Sequence, residues 1–251
     1  MEGTSLIIPV FNKIEVTRRC IEHIRSFNVK CSPQIVIIDN GSTDETPHIL
    51  SKEKDILYIR NKENIGISKA YNMGSKVAKQ NLLIFMHNDV FVYEEAWVAK
   101  IEDSIAKARN AGIVGLYGAK TIRKDGSFRG KTIVHSKRDA PSITKPIERV
   151  AVVDGLLMAI QKKVFEKIGG FNEEFPAHYY DKDISLRSLT HNFFNYVVNI
   201  PFEHLSATTR KAIQKDRQIR SEAQKRFIEI WKDVLPVDVS MWREKLRYIF
   251  T

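Results

Sequence analysis

QIVIIDNGSTDET (34–46) is an unbroken apolar run that ends in an acid and then in a string of turn formers. A strand apolar on both faces is covered on both, as in the parallel sheets of α/β proteins. Asn40-Gly41-Ser42 stop it, and Thr43 is expected to cap a short helix with Asp44 and Glu45 in its first turn. Outward from this stretch the pattern repeats. SLIIPVF (5–11), ILYIRN (56–61) and NLLIFM (81–86) read as further buried strands. Between them, Ile14, Cys20, Ile21, Ile24 and Phe27 fall on one helix face, as do Ile67, Ala70, Tyr71, Gly74, Val77 and Ala78. The expectation is an α/β fold with a mainly parallel central sheet and helices on both faces. Ligands of such sheets bind beyond the carboxyl ends of the strands. Phe11-Asn12, Asp39-Asn40 and His87-Asn88-Asp89 all stand there.

The second half is less regular. Residues 118–149 are basic and rich in turn formers, and read as a long loop or small hairpin. VAVVDGLLMAI (150–160) is apolar but broken by Asp154-Gly155; YVVNI (196–200) reads as one more strand. A charged helix is expected from about Thr208 to Val234, and MWREKLRYIF (241–250) follows Pro236 and its neighbours.

In the 251 residues, 43% are hydrophobic and 28% charged, which argues against disorder. No apolar run approaches the ~18 residues of a spanning helix. The start, MEGTSLIIPV, has no basic n-region or small-residue cleavage site, and Cys20 and Cys31 lack CxxC spacing. The expected location is therefore cytoplasmic. A net charge of +10 points to anionic partners or a solvated basic surface. No RNA- or DNA-binding signature accompanies it, so nucleic acid is not an expected partner. Nor does PVFNKIEVT form the Gly-rich, basic segment that a nucleotidyltransferase carries after its first strand.

Six motifs in order resemble the inverting glycosyltransferases of family 2, which have the GT-A fold. They are SLIIPVFN, IVIIDNGSTDET, NKENIGISKAYNMG, FMHNDV, VDGLLMAIQKKVFEKIGGFNEEF and YDKDISLR, with His204 beyond them. The resemblance implies a GT-A domain over 1–206, with a nucleotide-sugar half (1–117) and an acceptor half (118–206), and a helical extension over 207–251. It implies metal-dependent, inverting transfer of a hexosyl or deoxyhexosyl group from a nucleoside-diphosphate sugar, UDP or dTDP favoured. The acceptor would be a glycan or a lipid-linked molecule in polysaccharide or glycoconjugate synthesis.

Site residues follow from the same resemblance. Asp39 takes the position that contacts the donor base, with Pro9, Phe11 and Asn12 beside it, and Asn64, Gly66 and Asn88 complete the donor side. An Asx-type turn is the structural alternative for Asp39. Asp89 and His204 are the expected ligands of a divalent cation, Mn2+ or Mg2+, and Mn2+ accepts both carboxylate and imidazole. The family commonly carries Asp-x-Asp where this chain has His87-Asn88-Asp89. Asp181 matches the general base that deprotonates the acceptor, and Tyr180 replaces the usual Glu before it. Asp183 is the rival for the base and is placed with Asp154 on the acceptor side, while its i,i+4 spacing from Arg187 also reads as a structural ion pair. The altered His87 and Tyr180 positions also suit a relative that only binds nucleotide or glycan. Met241, Trp242, Leu246, Ile249 and Phe250 suggest an apolar helix face for packing or for peripheral attachment to an anionic membrane.

Overall fold

A computed structural model describes residues 3–28, 32–133, 146–205 and 216–240. The four apolar runs become β1 (Thr4–Val10), β2 (Gln34–Asp39), β3 (Ile56–Arg60) and β4 (Leu82–Met86), all parallel. Helices α1 (Ile14–Phe27), α2 (Thr46–Leu50) and α3 (Ile67–Val77) connect them. Leu82 to Met86 are wholly buried, which is why β4 has no polar face. Each such side chain contributes roughly 1.5–3 kcal/mol relative to exposure. Helix α3 packs closely on the Ile7 side chain of β1, where a Cβ at Gly74 would sit 2.3 Å from Ile7 Cγ2.

Helix α2 starts at Thr46 rather than just after Thr43. Its entry is tied to the first loop instead: Asn12 Oδ1 accepts the Thr43 N–H at 2.8 Å, and Asp44 accepts those of Ile14 and Thr46. These side-chain bonds hold the backbone in a turn through Asp44.

The second half completes the same sheet. In chain order come β5 (Val90–Val92), α4 (Trp97–Lys107), β6 (Ala111–Gly115), β7 (Tyr117–Ile122) and β8 (Phe128–Ile133). Next are β9 (Ile147–Val150), β10 (Val152–Val153), β11 (Leu157–Gln161), α5 (Lys162–Lys167) and α6 (Tyr180–Thr190). Last are β12 (Phe194–Val198), β13 (Phe202–His204), α7 (Asp216–Trp231) and β14 (Val237–Asp238). The eight-stranded sheet runs β3-β2-β1-β4-β11-β6-β12-β9, and only β11 and β9 oppose the common direction. It is thus mainly parallel, as the sequence implies. The basic stretch after residue 117 forms an antiparallel hairpin, β7 with β8, inside a second small sheet.

Helix α7 covers less than the expected 208–234 among the described residues and packs onto the domain. Phe227 is fully buried, and the Trp231 indole N–H donates to Asp183 Oδ1 at 3.1 Å. The apolar face expected within 241–250 lies outside the described residues.

Candidate functional site

Beyond the carboxyl ends of β1, β2 and β4 lies a cleft of about 790 Å3. Strand ends and the loops after them supply one wall: Pro9, Phe11, Asn40, Asn64 and Gly66. His87, Asn88 and Asp89 form its floor, and Asp154, Gly155, Tyr180 and Asp181 form the opposite side.

A short antiparallel pairing sets the floor. β5 begins at Val90, directly opposite His204 of β13, and the Leu205 N–H donates to the Asp89 carbonyl at 3.1 Å. Asp89 and His204 therefore meet although 115 positions separate 89 from 204. His204 Nε2 lies 3.1 Å from Asp89 Oδ1. Ligand atoms of His87, Asp89 and His204 all fall within 4.8 Å of one another. Burial pushes the Asp89 carboxyl up, but the His204 hydrogen bond and the two imidazoles outweigh it and hold it below the usual value. A carboxylate kept ionised beside two imidazoles suits a divalent cation that accepts nitrogen as well as oxygen.

His87 also bonds Tyr180 Oη through Nε2, at 2.8 Å. The tyrosine reaches it across Gly155, where a Cβ would stand 2.1 Å from that hydroxyl oxygen. Asn88, beside it, donates to Thr17 Oγ1 at 2.8 Å.

Asp181 sits in the first turn of α6 and faces the cleft. Its carboxylate accepts the Gly155 N–H at 3.3 Å and the Lys182 N–H at 2.9 Å. Asp183 is different. It is buried outside the cleft lining, accepts from Arg187 Nε at 2.9 Å and from Trp231, and burial raises its pKa despite these partners. Its role is to tie α6 to α7.

Asp39 and Asn12 stand behind the cleft wall. Asp39 is fully buried, with Oδ1 accepting the Ser42 N–H at 2.8 Å and Oδ2 the Tyr58 hydroxyl at 2.5 Å. Burial, with that bond, pushes the Tyr58 phenol up. Asp39 thus shapes the Asn40–Ser42 turn, and Asn40, absent from the expected set, takes the place in the wall. Asn64 Oδ1 accepts the Gly66 N–H at 3.0 Å.

The sequence reading also passed over the far end of the cleft. There Ser127, Phe128, His178, Tyr179 and Lys182 meet Arg220 and Gln224 of α7. Lys182 stands inside the YYDKDISLR motif, but only the packing of α7 brings Arg220 beside it.

The fold is of the GT-A type. The chain belongs to the glycosyl transferase family 2, whose sequence model matches residues 5–169. It is 26% identical to an uncharacterized glycosyltransferase of Rickettsia prowazekii, over 84% of this chain and 67% of that one. It is 26% identical to Glycosyltransferase GlyA of Streptococcus pneumoniae over 71% of this chain, but spans only 25% of that protein. Among solved structures, GalNAc-T7 with UDP, GalNAc and Mn2+ aligns with a TM-score of 0.67 and 17% identity, covering 81% of this chain and 44% of the other. No helix among the described residues is long and apolar enough to cross a membrane.

Proposed function

We propose that the protein transfers a hexosyl or deoxyhexosyl group, with inversion, from a nucleoside-diphosphate sugar to a hydroxyl of a glycan or lipid-linked acceptor. One observation carries this reading: the Asp181 carboxylate faces the same cleft as the His87–Asp89–His204 cluster. Inversion by direct displacement needs one carboxylate on the acceptor side and charge stabilisation on the leaving-group side.

Asp89, His204 and His87 would hold Mn2+ or Mg2+, with the two imidazoles favouring Mn2+. When bound, such a cation neutralises charge that develops on the departing diphosphate. Pro9, Phe11, Asn40, Asn64 and Gly66 receive the nucleotide, with UDP or dTDP favoured and Asp39 bracing the turn beneath. Asn88, anchored on Thr17, orients the donor next to the cation site. Asp181 accepts the acceptor proton; its two backbone N–H bonds fix the carboxylate without neutralising it. Asp154, whose Oδ1 accepts the Leu156 N–H at 3.0 Å, lies on the acceptor side.

The test is a thermal-shift and calorimetric screen of UDP, dTDP and GDP sugars with and without Mn2+, followed by proton NMR of the product anomer. The expected result is metal-dependent binding of one nucleotide sugar, abolished in Asp89→Ala, and an inverted product. Full activity in excess chelator, or a retained anomeric configuration, overturns the mechanism.

A further inference from the structure

The acceptor end of the cleft carries two cationic side chains. Lys182, on α6 next to Asp181, points its ammonium between two rings, 4.0 Å from the centroid of Tyr179 and 4.4 Å from that of Phe128. The ammonium donates to the Gly126 carbonyl, at 2.7 Å. Arg220, on α7, lines the same end and is exposed. Among the described residues neither lies in an ion pair, whereas Lys120 pairs with Glu148 and Arg187 with Asp183. Asp181, Asp154 and Asp125 attract the ammonium through space without reaching it.

This arrangement is unfavourable as it stands. Burial depresses the pKa of Lys182, Asp181 pulls it back, and the charge of Arg220 adds to the depression. The aromatic rings recover part of that loss, about 0.5–2 kcal/mol for a cation over a ring, but rings do not neutralise a charge. An oxyanion entering between the two side chains would take hydrogen bonds from both, and the guanidinium can do so with two parallel N–H groups. In the proposed reading the donor occupies the strand ends and the His87–Asp89–His204 cluster, which leaves the part of the cleft lined by Lys182 and Arg220 to the acceptor. Lys182 follows Asp181 directly on α6.

We propose that the acceptor is an anionic molecule, and that Lys182 and Arg220 seat its carboxylate or phosphate while a hydroxyl of the same molecule faces Asp181. The inference rests on the transferase reading above. Phe128 and Tyr179, beside the ammonium, offer ring faces to the sugar or linker that bears the charge. A carboxylate would belong to a uronic acid unit; a phosphate would belong to a glycosyl or polyol phosphate, including a lipid-linked one.

The experiment uses the full chain saturated with Mn2+ and with whichever of UDP, dTDP or GDP binds it. Ligand-observed NMR then titrates methyl glucuronide, glycerol phosphate and, as the neutral control, methyl glucoside. Either anion is expected to bind at least ten-fold tighter than methyl glucoside and to weaken as salt rises; the one that does so identifies the group. Arg220→Gln, an exposed site that leaves the core intact, and Lys182→Gln should remove this advantage without changing nucleotide affinity. Anions that bind no better than the glucoside overturn the proposal. So does loss of nucleotide affinity in Arg220→Gln, which would assign the pair to the donor diphosphate. If the wild-type chain binds no nucleotide with Mn2+, the transferase reading itself fails and takes this inference with it.

Discussion

His87 and Tyr180 hydrogen-bond each other at 2.8 Å, and both stand where family 2 commonly carries an acid. The two departures are therefore one feature: an imidazole of the proposed metal cluster whose ring is held by a phenol from the start of α6. In the tautomer whose Nε2–H donates to Tyr180, Nδ1 is the acceptor nitrogen of the ring. Groups of this kind set the ligand's tautomer and commonly change metal affinity by about 10–100-fold. Tyr180→Phe should weaken Mn2+ binding by at least ~10-fold, measured by calorimetry with nucleotide present. Gly155→Ala, which would displace the Tyr180 hydroxyl, should do the same. Undiminished Mn2+ affinity in both Tyr180→Phe and His87→Ala would remove His87 from the metal site.

The two acids of the α6 motif should separate cleanly. Asp181→Asn is expected to cut turnover by ~10²-fold or more with stability unchanged. Asp183→Ala leaves the Arg187 guanidinium without its carboxylate and with only the Ile168 carbonyl, and should cost about 3–5 kcal/mol in denaturant unfolding. A crippled but stable Asp183→Asn beside an active Asp181→Asn would move the base by two residues.

Gly66 begins α3 at a φ of 83°, and a Cβ there would stand 2.7 Å from Pro176 Cβ. The Ile67 N–H also donates to the Pro176 carbonyl, at 2.6 Å, so the loop before α6 rests directly on this turn. Gly66→Ala should lose about 1–3 kcal/mol of stability from the backbone strain and weaken nucleotide binding as well. Wild-type values for both in urea titration and calorimetry would show that the turn relaxes freely.

Cys20 is buried against β5, with its thiol 3.6 Å from the Val90 carbonyl, and burial, aided by Asp89, pushes its pKa up to about 12. A thiol reacts as the thiolate. Iodoacetamide at pH 8 should leave Cys20 unmodified in the folded protein and modify it after denaturation, as peptide mass mapping would read. Rapid native labelling would mean that α1 opens readily from the sheet.

The sequence exposed what depends on neighbours along the chain. Uninterrupted apolar runs marked β1, β2 and β4 because each is buried on both faces, and the polar residues at their ends marked the cleft; β3, read as equally buried, is the sheet's edge strand and exposes Leu57 and Arg60. Periodicity was silent where distant segments meet, and only the family resemblance paired Asp89 with His204. β5 and β13 are three-residue strands too short for a pattern, yet their pairing creates the Asp89–His204 contact. Asp39 shows the same limit: its place at a strand end was readable, but Tyr58, one strand away, decides which way its carboxylate is used. Nothing in the local sequence pairs Lys182 with Arg220; the packing of α7 against α6 brings both to the cleft.

Helix α7 lies beyond residue 169, where the family match ends, yet it is stitched to the rest at three levels. Gln224 bonds the Asp125 carbonyl at 2.8 Å, Phe227 faces Tyr179 with centroids 5.2 Å apart, and Trp231 holds Asp183. The unit of recombination is therefore larger than the family motif. A hybrid that exchanges acceptor preference between relatives would have to carry the 123–127 turn, α6 and α7 as one cassette; a seam placed between α6 and α7 would leave the graft with a foreign roof over its own base.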